Sequence, residues 1–337
     1  MASNSSAGND TSSGPSDIFF LYSKNVFAVL YILLFLLGMP GNILLLLVLI
    51  RGLQRKSGSH ISRLTEPLFV NIVVLDLLFF LYSIPVMFCN IIFKDWRLGH
   101  LLCATNHSLS LWISFADFYS MLAVALLRYI AVLHPMTVMP ISQKQITIAC
   151  GFIWVICFLF STPLWIHYQI IDLEGEKLCV NQMGRKEVNL YLQFLGGVGF
   201  LPPMLVMIFC YLRIISTLRV RRALSMHTAS GLQVNWRATV MALVTMVALV
   251  AMWLPYWLVI FFIRYDELLT TAPMYLVYHL TSLLAFANRC INPIICFCLS
   301  LQFQARLRNL FRRIGKGIRQ VGPIHLGKIE VLRSTYG

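Results

Sequence analysis

The chain has 337 residues, of which 58% are hydrophobic and only 12% charged, and its formal net charge is +14. A soluble domain carries about twice that charged fraction, so a single water-soluble core is excluded and most of the apolar surface must face lipid or other helices inside lipid. The positive balance does not call for nucleic acid, because Lys and Arg collect on the cytoplasmic side of membrane proteins.

Residues 1–17 are rich in Ser, Gly and Asn and lack the basic-then-apolar pattern of a signal peptide. Export then rests on the first membrane span. Asn4-Ser5-Ser6 and Asn9-Asp10-Thr11 are glycosylation acceptor triplets, so Asn4 and Asn9 mark residues 1–25 as a disordered, glycosylated extracellular tail.

Seven apolar runs follow, at about 26–50, 67–92, 101–133, 146–169, 190–217, 237–263 and 273–298. Each reaches the roughly 20 residues that a membrane span needs. Residues 26–298 are therefore predicted to form an all-α, seven-helix transmembrane domain. The connectors 51–66, 134–145 and 218–236 carry Arg51, Arg55, Lys56, Arg63, Lys144, Arg219, Arg221 and Arg222, whereas the opposite ones hold Asp95, Asp172, Glu174, Glu176, Asp266 and Glu267. Positive-inside then puts the N-terminus outside and the C-terminus in the cytoplasm, as in a multi-pass plasma-membrane protein.

After the last span, Phe303, Leu307, Leu310, Phe311 and Ile314 recur at three- and four-residue spacing with Arg on the other face. Residues 299–314 are predicted to form an amphipathic helix on the membrane lipid of the inner leaflet, and 315–337 a cytoplasmic tail. No internal repeat of the transporter kind is visible.

Of the nine cysteines, Cys150, Cys157, Cys210, Cys290, Cys296 and Cys298 sit inside apolar runs and read as small core hydrophobes. None shows C-x-x-C spacing, and no HExxH, GxSxG or Walker pattern is present. No enzyme activity, metal or cofactor is expected. Cys103 and Cys179 differ in lying outside or at the ends of the apolar runs.

Several short motifs occur in order along the chain: Gly41-Asn42; Asn71 with Asp76 five residues on; Trp96-Arg97-Leu98-Gly99 followed by Cys103; Leu127-Arg128-Tyr129 running into Ala131-Val132-Leu133-His134-Pro135; Trp154 and Pro163; Pro203 and Tyr211; Trp253-Leu254-Pro255; and Asn292-Pro293. Together they resemble the class A (rhodopsin-like) G protein-coupled receptors, over residues 30 to 314, with a flavour of the peptide-receptor branch. Microbial rhodopsins, the other seven-span candidates, need a lysine in the last span, and 273–298 contains none. The resemblance implies a receptor for an extracellular ligand, coupled to a heterotrimeric G protein.

It also implies a Cys103–Cys179 disulfide, formed in the oxidising exterior, and a Trp253 switch beside the Pro255 kink. Three charges fall near mid-depth, where charge is costly and functional by default. Asp76 matches the family's sodium-site aspartate. Asp117, eleven residues before Arg128, and Arg289, four before Pro293, fall at positions lining the same pocket. Arg289 is expected to bond Asp76, Asp117 or both, as a tethered cation in place of the sodium ion. The second negative charge would be absorbed by a proton on one carboxyl, by Asn288 or Asn292, or by water.

At the cytoplasmic end, Arg128 and Tyr129 would meet the G protein, with Tyr211, Asn292, Pro293 and Cys296 forming the switch. Two residues depart from the family pattern. Leu127 stands where an acid normally restrains Arg128, and Cys296 where a tyrosine normally pairs with the counterpart of Tyr211. The first favours basal activity. Both keep open a non-signalling decoy or an oligomerisation partner of another receptor.

Family geometry places the ligand pocket among Ser110, Leu111, Ser114 and Leu195, then Trp253, Tyr256, Trp257 and Ile260, and Ser282 and Phe286. The rim would carry Arg264, Tyr278 and His279 on one side and Asp172, Glu174 and Glu176 on the other. Ser110 stands where amine receptors carry an aspartate, so a biogenic amine is disfavoured. A peptide or an amphipathic lipid suits the pocket.

Overall fold

A helix is the conformation in which a single segment satisfies its own backbone inside hydrocarbon, and each long apolar run adopts it. The computed structural model describes residues 15–54, 60–93, 95–138, 140–173, 175–224, 229–262, 272–299 and 303–312. In chain order the elements are α1 (Pro15–Gln54), α2 (His60–Leu78), a π-helical segment at Phe79–Ser83, α3 (Ile84–Ile92), α4 (Gly99–Leu133), the short α5 (Pro135–Val138) and α6 (Gln143–His167). There follow β1 (Tyr168–Leu173), β2 (Glu176–Asn181), α7 (Arg185–Phe194), a second π-helical segment at Leu195–Phe200, α8 (Leu201–Leu224), α9 (Ala229–Phe262) and α10 (Ala272–Leu299). The helices on either side of each π-helical segment run on as one span, so the described residues hold seven segments long and apolar enough to cross a membrane.

One boundary differs from the sequence expectation. The first helix begins at Pro15, so residues 15–25 are helical rather than part of a disordered tail. Proline suits the first turn of a helix, and the apolar residues Ile18 to Tyr22 lie between it and the predicted span. The connector between α6 and α7 is also ordered, as an antiparallel hairpin pairing Tyr168 with Asn181 and Ile170 with Cys179. Its turn uses Gly175 at φ +86°, a conformation that favours glycine, and the Gly175 N–H donates to Asp172 Oδ1 at 3.1 Å.

Local caps set two other starts. The Ser142 and Gln145 side chains cap α6 reciprocally, and the Gly184 N–H donates to Glu187 Oε2 at 3.0 Å ahead of α7.

The most enclosed span is α4, with 56% of its central window buried, against 17–50% for the others, so it forms the spine of the bundle. Leu37, Phe152, Leu159 and Leu212 are exposed on the outside, as a lipid-facing surface requires. On the inside, α1 approaches the Phe79–Ser83 segment closely: a Cβ on Gly38 would lie 2.0 Å from Phe80 Cζ. Asn42 Nδ2 donates to Gly38 O at 2.9 Å and to the backbone O of Arg289 at 3.2 Å, tying α1 to α10.

The helix of residues 303–312 buries Phe303 and Leu310 in one cluster with Leu45, Val48, Leu49, Val73 and Cys296. Arg306 Nη2 donates to Glu66 Oε1 at 2.8 Å, fixing this helix to α2.

Candidate ligand cavity and buried charge cluster

A cavity of about 630 Å³ lies between the helices, under the hairpin. Ser110, Leu111 and Ser114 of α4 border it, as does Leu195 at the start of the second π-helical segment. From α9 come Trp253, Tyr256, Trp257 and Ile260, and from α10 Tyr278, His279, Ser282 and Phe286. Arg264 and Glu174 lie outside the described residues, as do Asn4 and Asn9. Asp172 and Glu176, expected at the rim, do not border the cavity: they sit near the turn of the hairpin, where Asp172 faces Lys177 in register. A strand advances about 3.3 Å per residue, so the turn is carried away while Tyr168, Val180 and Asn181 border the cavity.

The hairpin is held over the bundle by the Cys103–Cys179 disulfide, with Cα atoms 5.6 Å apart. It is also held by the Trp96 N–H, which donates to Lys177 O at 2.7 Å. His107 stacks on Tyr168 at 4.1 Å between ring centroids. The deeper wall is aromatic, with Trp257 stacked on Phe200 at 5.2 Å and edge-on to Phe115 at 6.2 Å.

Sequence reasoning missed several lining residues: Lys24 and Tyr31 of α1, Asn106 and His107 of α4, Asn181, and Tyr191 of α7. The signal for Lys24 was present, since it stands two turns before Tyr31 on the same helix face. Asn106 Oδ1, Trp257 Nε1 and His279 Nδ1 are buried atoms with no hydrogen-bond partner among the described residues.

Beneath the cavity, the three mid-depth charges meet. Arg289 Nη1 donates to Asp76 Oδ1 at 2.8 Å and lies 3.8 Å from Asp117 Oδ2. The three side chains are 1%, 0% and 2% exposed. The direct hydrogen bond goes to Asp76, and Asp117 completes an ion pair outside hydrogen-bond reach. Two further partners were not foreseen. Arg289 Nη2 donates to Ser114 Oγ at 3.0 Å, and the guanidinium lies over the Phe79 ring at 4.3 Å from its centroid. Asn292 Nδ2 donates to Asp76 Oδ2 at 3.0 Å, so both oxygens of Asp76 are engaged. Asp117 Oδ1, Asn288 Nδ2 and Arg289 Nε have no hydrogen-bond partner among the described residues.

At the other end of α4, Arg128 makes no ion pair among the described residues, and its Nε has no partner there. Leu127, Tyr211 and Cys296 are all buried, and Tyr211 and Cys296 lie near enough to Arg128 to act on it electrostatically. Tyr129 packs against Phe209 at 6.1 Å. Pro293 lies against α1 at Gly41, where a Cβ would come within 3.2 Å of Pro293 Cγ.

Seven spans, a disulfide-held hairpin over a cavity and a polar cluster beneath it define a membrane receptor of the seven-helix class. Residues 41–296 match the 7 transmembrane receptor (rhodopsin family), and the chain belongs to that family. It is similar to galanin receptor 2a of Danio rerio, with 25% identity over 320 residues, covering 93% of this chain and 86% of that one. It is similar also to galanin receptor type 2 of Rattus norvegicus, 29% identical over 307 residues, 90% of this chain and 79% of that one. C-C chemokine receptor type 8 of Mus musculus is 26% identical over 318 residues, 90% of this chain and 85% of that one. The chain is accordingly a multi-pass membrane receptor of the G protein-coupled class, in its peptide-type branch, and not an enzyme.

Proposed function

We propose that this receptor takes a peptide ligand into the cavity from outside the cell and passes the signal to a heterotrimeric G protein at Arg128 and Tyr129. The N-terminus would be extracellular and the C-terminus cytoplasmic, as the basic inner connectors require. The relatives named for galanin and for chemokines support a peptide over a lipid.

One observation carries the reading: Ser114 borders the cavity and its hydroxyl accepts from Arg289, whose other amino group holds Asp76 together with Asn292. A ligand that disturbs Ser114 therefore acts, through three hydrogen bonds, on the asparagine beside Pro293. Arg289 would occupy permanently the place of a mobile sodium ion. Leu127 leaves Arg128 without an acidic neighbour, so the receptor is expected to signal in the absence of ligand.

A panel of proximal G protein sensors in cells, comparing the receptor with Arg128→Ala, tests this. Basal coupling abolished by the substitution supports the proposal. Signal equal to that of empty cells, for both proteins and with any peptide, favours the decoy reading that the departures at Leu127 and Cys296 keep open.

A further inference from the structure

The charge inventory of the cavity is one-sided. Among the described residues that border it, Lys24 carries the only formal charge, and no Asp or Glu is present. Lys24 makes no ion pair or hydrogen bond with any described residue and is half-buried. It stands one turn from Phe27, on the inward face that also carries Ala28 and Tyr31. Phe27 in turn contacts His279 at 5.1 Å, and Tyr275 lies 4.2 Å from His279. An ammonium partly removed from water, with no counter-ion among the described residues, favours an anion arriving with the ligand. The acids Asp76 and Asp117 do not border the cavity, and both are paired with Arg289. One cation against two acids leaves the floor no attraction for an anion, so such a group is steered to the α1 side.

A second, independent observation concerns the neutral part of the ligand. Asn106 is 1% exposed and Trp257 4%, both border the cavity, and each holds an unpartnered atom: an acceptor at Asn106 Oδ1 and a donor at Trp257 Nε1. Unpaired buried polar groups are costly, and a ligand offering both an N–H and a C=O would satisfy them. An amide does so, whereas a fatty acid chain does not.

We propose, resting on the peptide-receptor reading above, that the ligand is a peptide that places a carboxylate against Lys24 and separate amide groups against Asn106 and Trp257. The carboxylate could be a C-terminus or an acidic side chain, which share this chemistry.

The test uses the purified full chain in detergent and measures its thermal stability. The probes are matched sets of short synthetic peptides with free or amidated C-termini, each with or without Asp and Glu, and palmitate as a lipid carboxylate. The carboxylate-bearing sets are expected to raise the melting temperature. The free-terminus and the amidated acidic sets separate the two sources of the carboxylate. The best peptide should bind on the order of tenfold more weakly to Lys24→Ala and Lys24→Gln, and nearly normally to Lys24→Arg. Trp257→Phe should weaken it while sparing the discrimination between acidic and neutral peptides. Stabilisation by neutral amidated peptides that survives Lys24→Gln overturns this inference and leaves the peptide-receptor reading standing. Stabilisation by palmitate alone, or by no probe, overturns both.

Discussion

The Ser114 hydroxyl accepts from Arg289 Nη2 at 3.0 Å and donates to Ser110 O at 2.7 Å, with its residue forming part of the cavity lining. Ligand site and buried cation are thus one hydrogen bond apart. A guanidinium so placed is pinned by a carboxylate, a hydroxyl and the face of Phe79. We expect that exchanging sodium for potassium at constant ionic strength leaves basal signal and thermal stability unchanged. Arg289→Ser should open room for an ion and make both sodium-dependent. Asp76→Asn removes the nearer carboxylate from a buried cation, which costs about 3–5 kcal/mol, so surface expression should fall sharply. An unaltered receptor as sodium-sensitive as Arg289→Ser would sink the proposal.

The second expectation concerns Leu127. A carboxylate at this position would sit beside Arg128, whose Nε has no partner among the described residues. Leu127→Asp should lower basal G protein turnover several-fold, since a bias of about 1.4 kcal/mol shifts a two-state equilibrium tenfold. The check is a basal sensor signal normalised to surface receptor. A basal signal that rises, or that stays level at equal surface density, counts against the missing restraint.

Gly38 offers a packing test. Its absent side chain makes room for Phe80, whose ring would be 2.0 Å from an added Cβ. Gly38→Ala should therefore destabilise the receptor by roughly 1–3 kcal/mol through overpacking. Adding Phe80→Leu should recover part of that loss, because the two sites share one space. Thermal unfolding of the three proteins reads the coupling directly.

Removal of the disulfide is the fourth test. The bond closes a loop of sequence separation 76 between α4 and β2, and loss of such a bridge costs about 2–5 kcal/mol. Cys179→Ser should raise hydrogen exchange across residues 168–181 while the exchange of 303–312 is unchanged. Equal protection of the hairpin with and without the bond would assign its order to strand pairing and to the Trp96 contact alone.

Much of the fold was legible because hydrocarbon imposes a length on every span, and apolar runs of that length are hard to mistake. The hairpin was not legible: Tyr168–Leu173 is short, and its order depends on a partner strand and on Cys179. The early start at Pro15 was hidden because Ser23, Lys24 and Asn25 interrupt the apolar sequence between Ile18–Tyr22 and the span. Within the site, the meeting of Asp76 and Arg289 could be anticipated from the high cost of lone charge in lipid. The Ser114 and Phe79 contacts could not, since neutral partners carry no such penalty when exchanged for one another. Lys24 carries no motif, and only the direction of its helix face, shared with Tyr31, brings it to the cavity.

Cys296 shares its buried cluster with Leu45, Val48, Leu49, Val73, Phe303 and Leu310, and the helix bearing the last two is clamped to α2 by Arg306 and Glu66. Side chains from two neighbouring helices and the 303–312 helix pack in the same cluster. A lone Cys296→Tyr change would add a ring to a buried cluster, so overpacking accompanies any restored contact with Tyr211. The identity of residue 296 is thereby tied to the packing of the 303–312 helix, so a change here is expected to be felt at Phe303 and Leu310 as well.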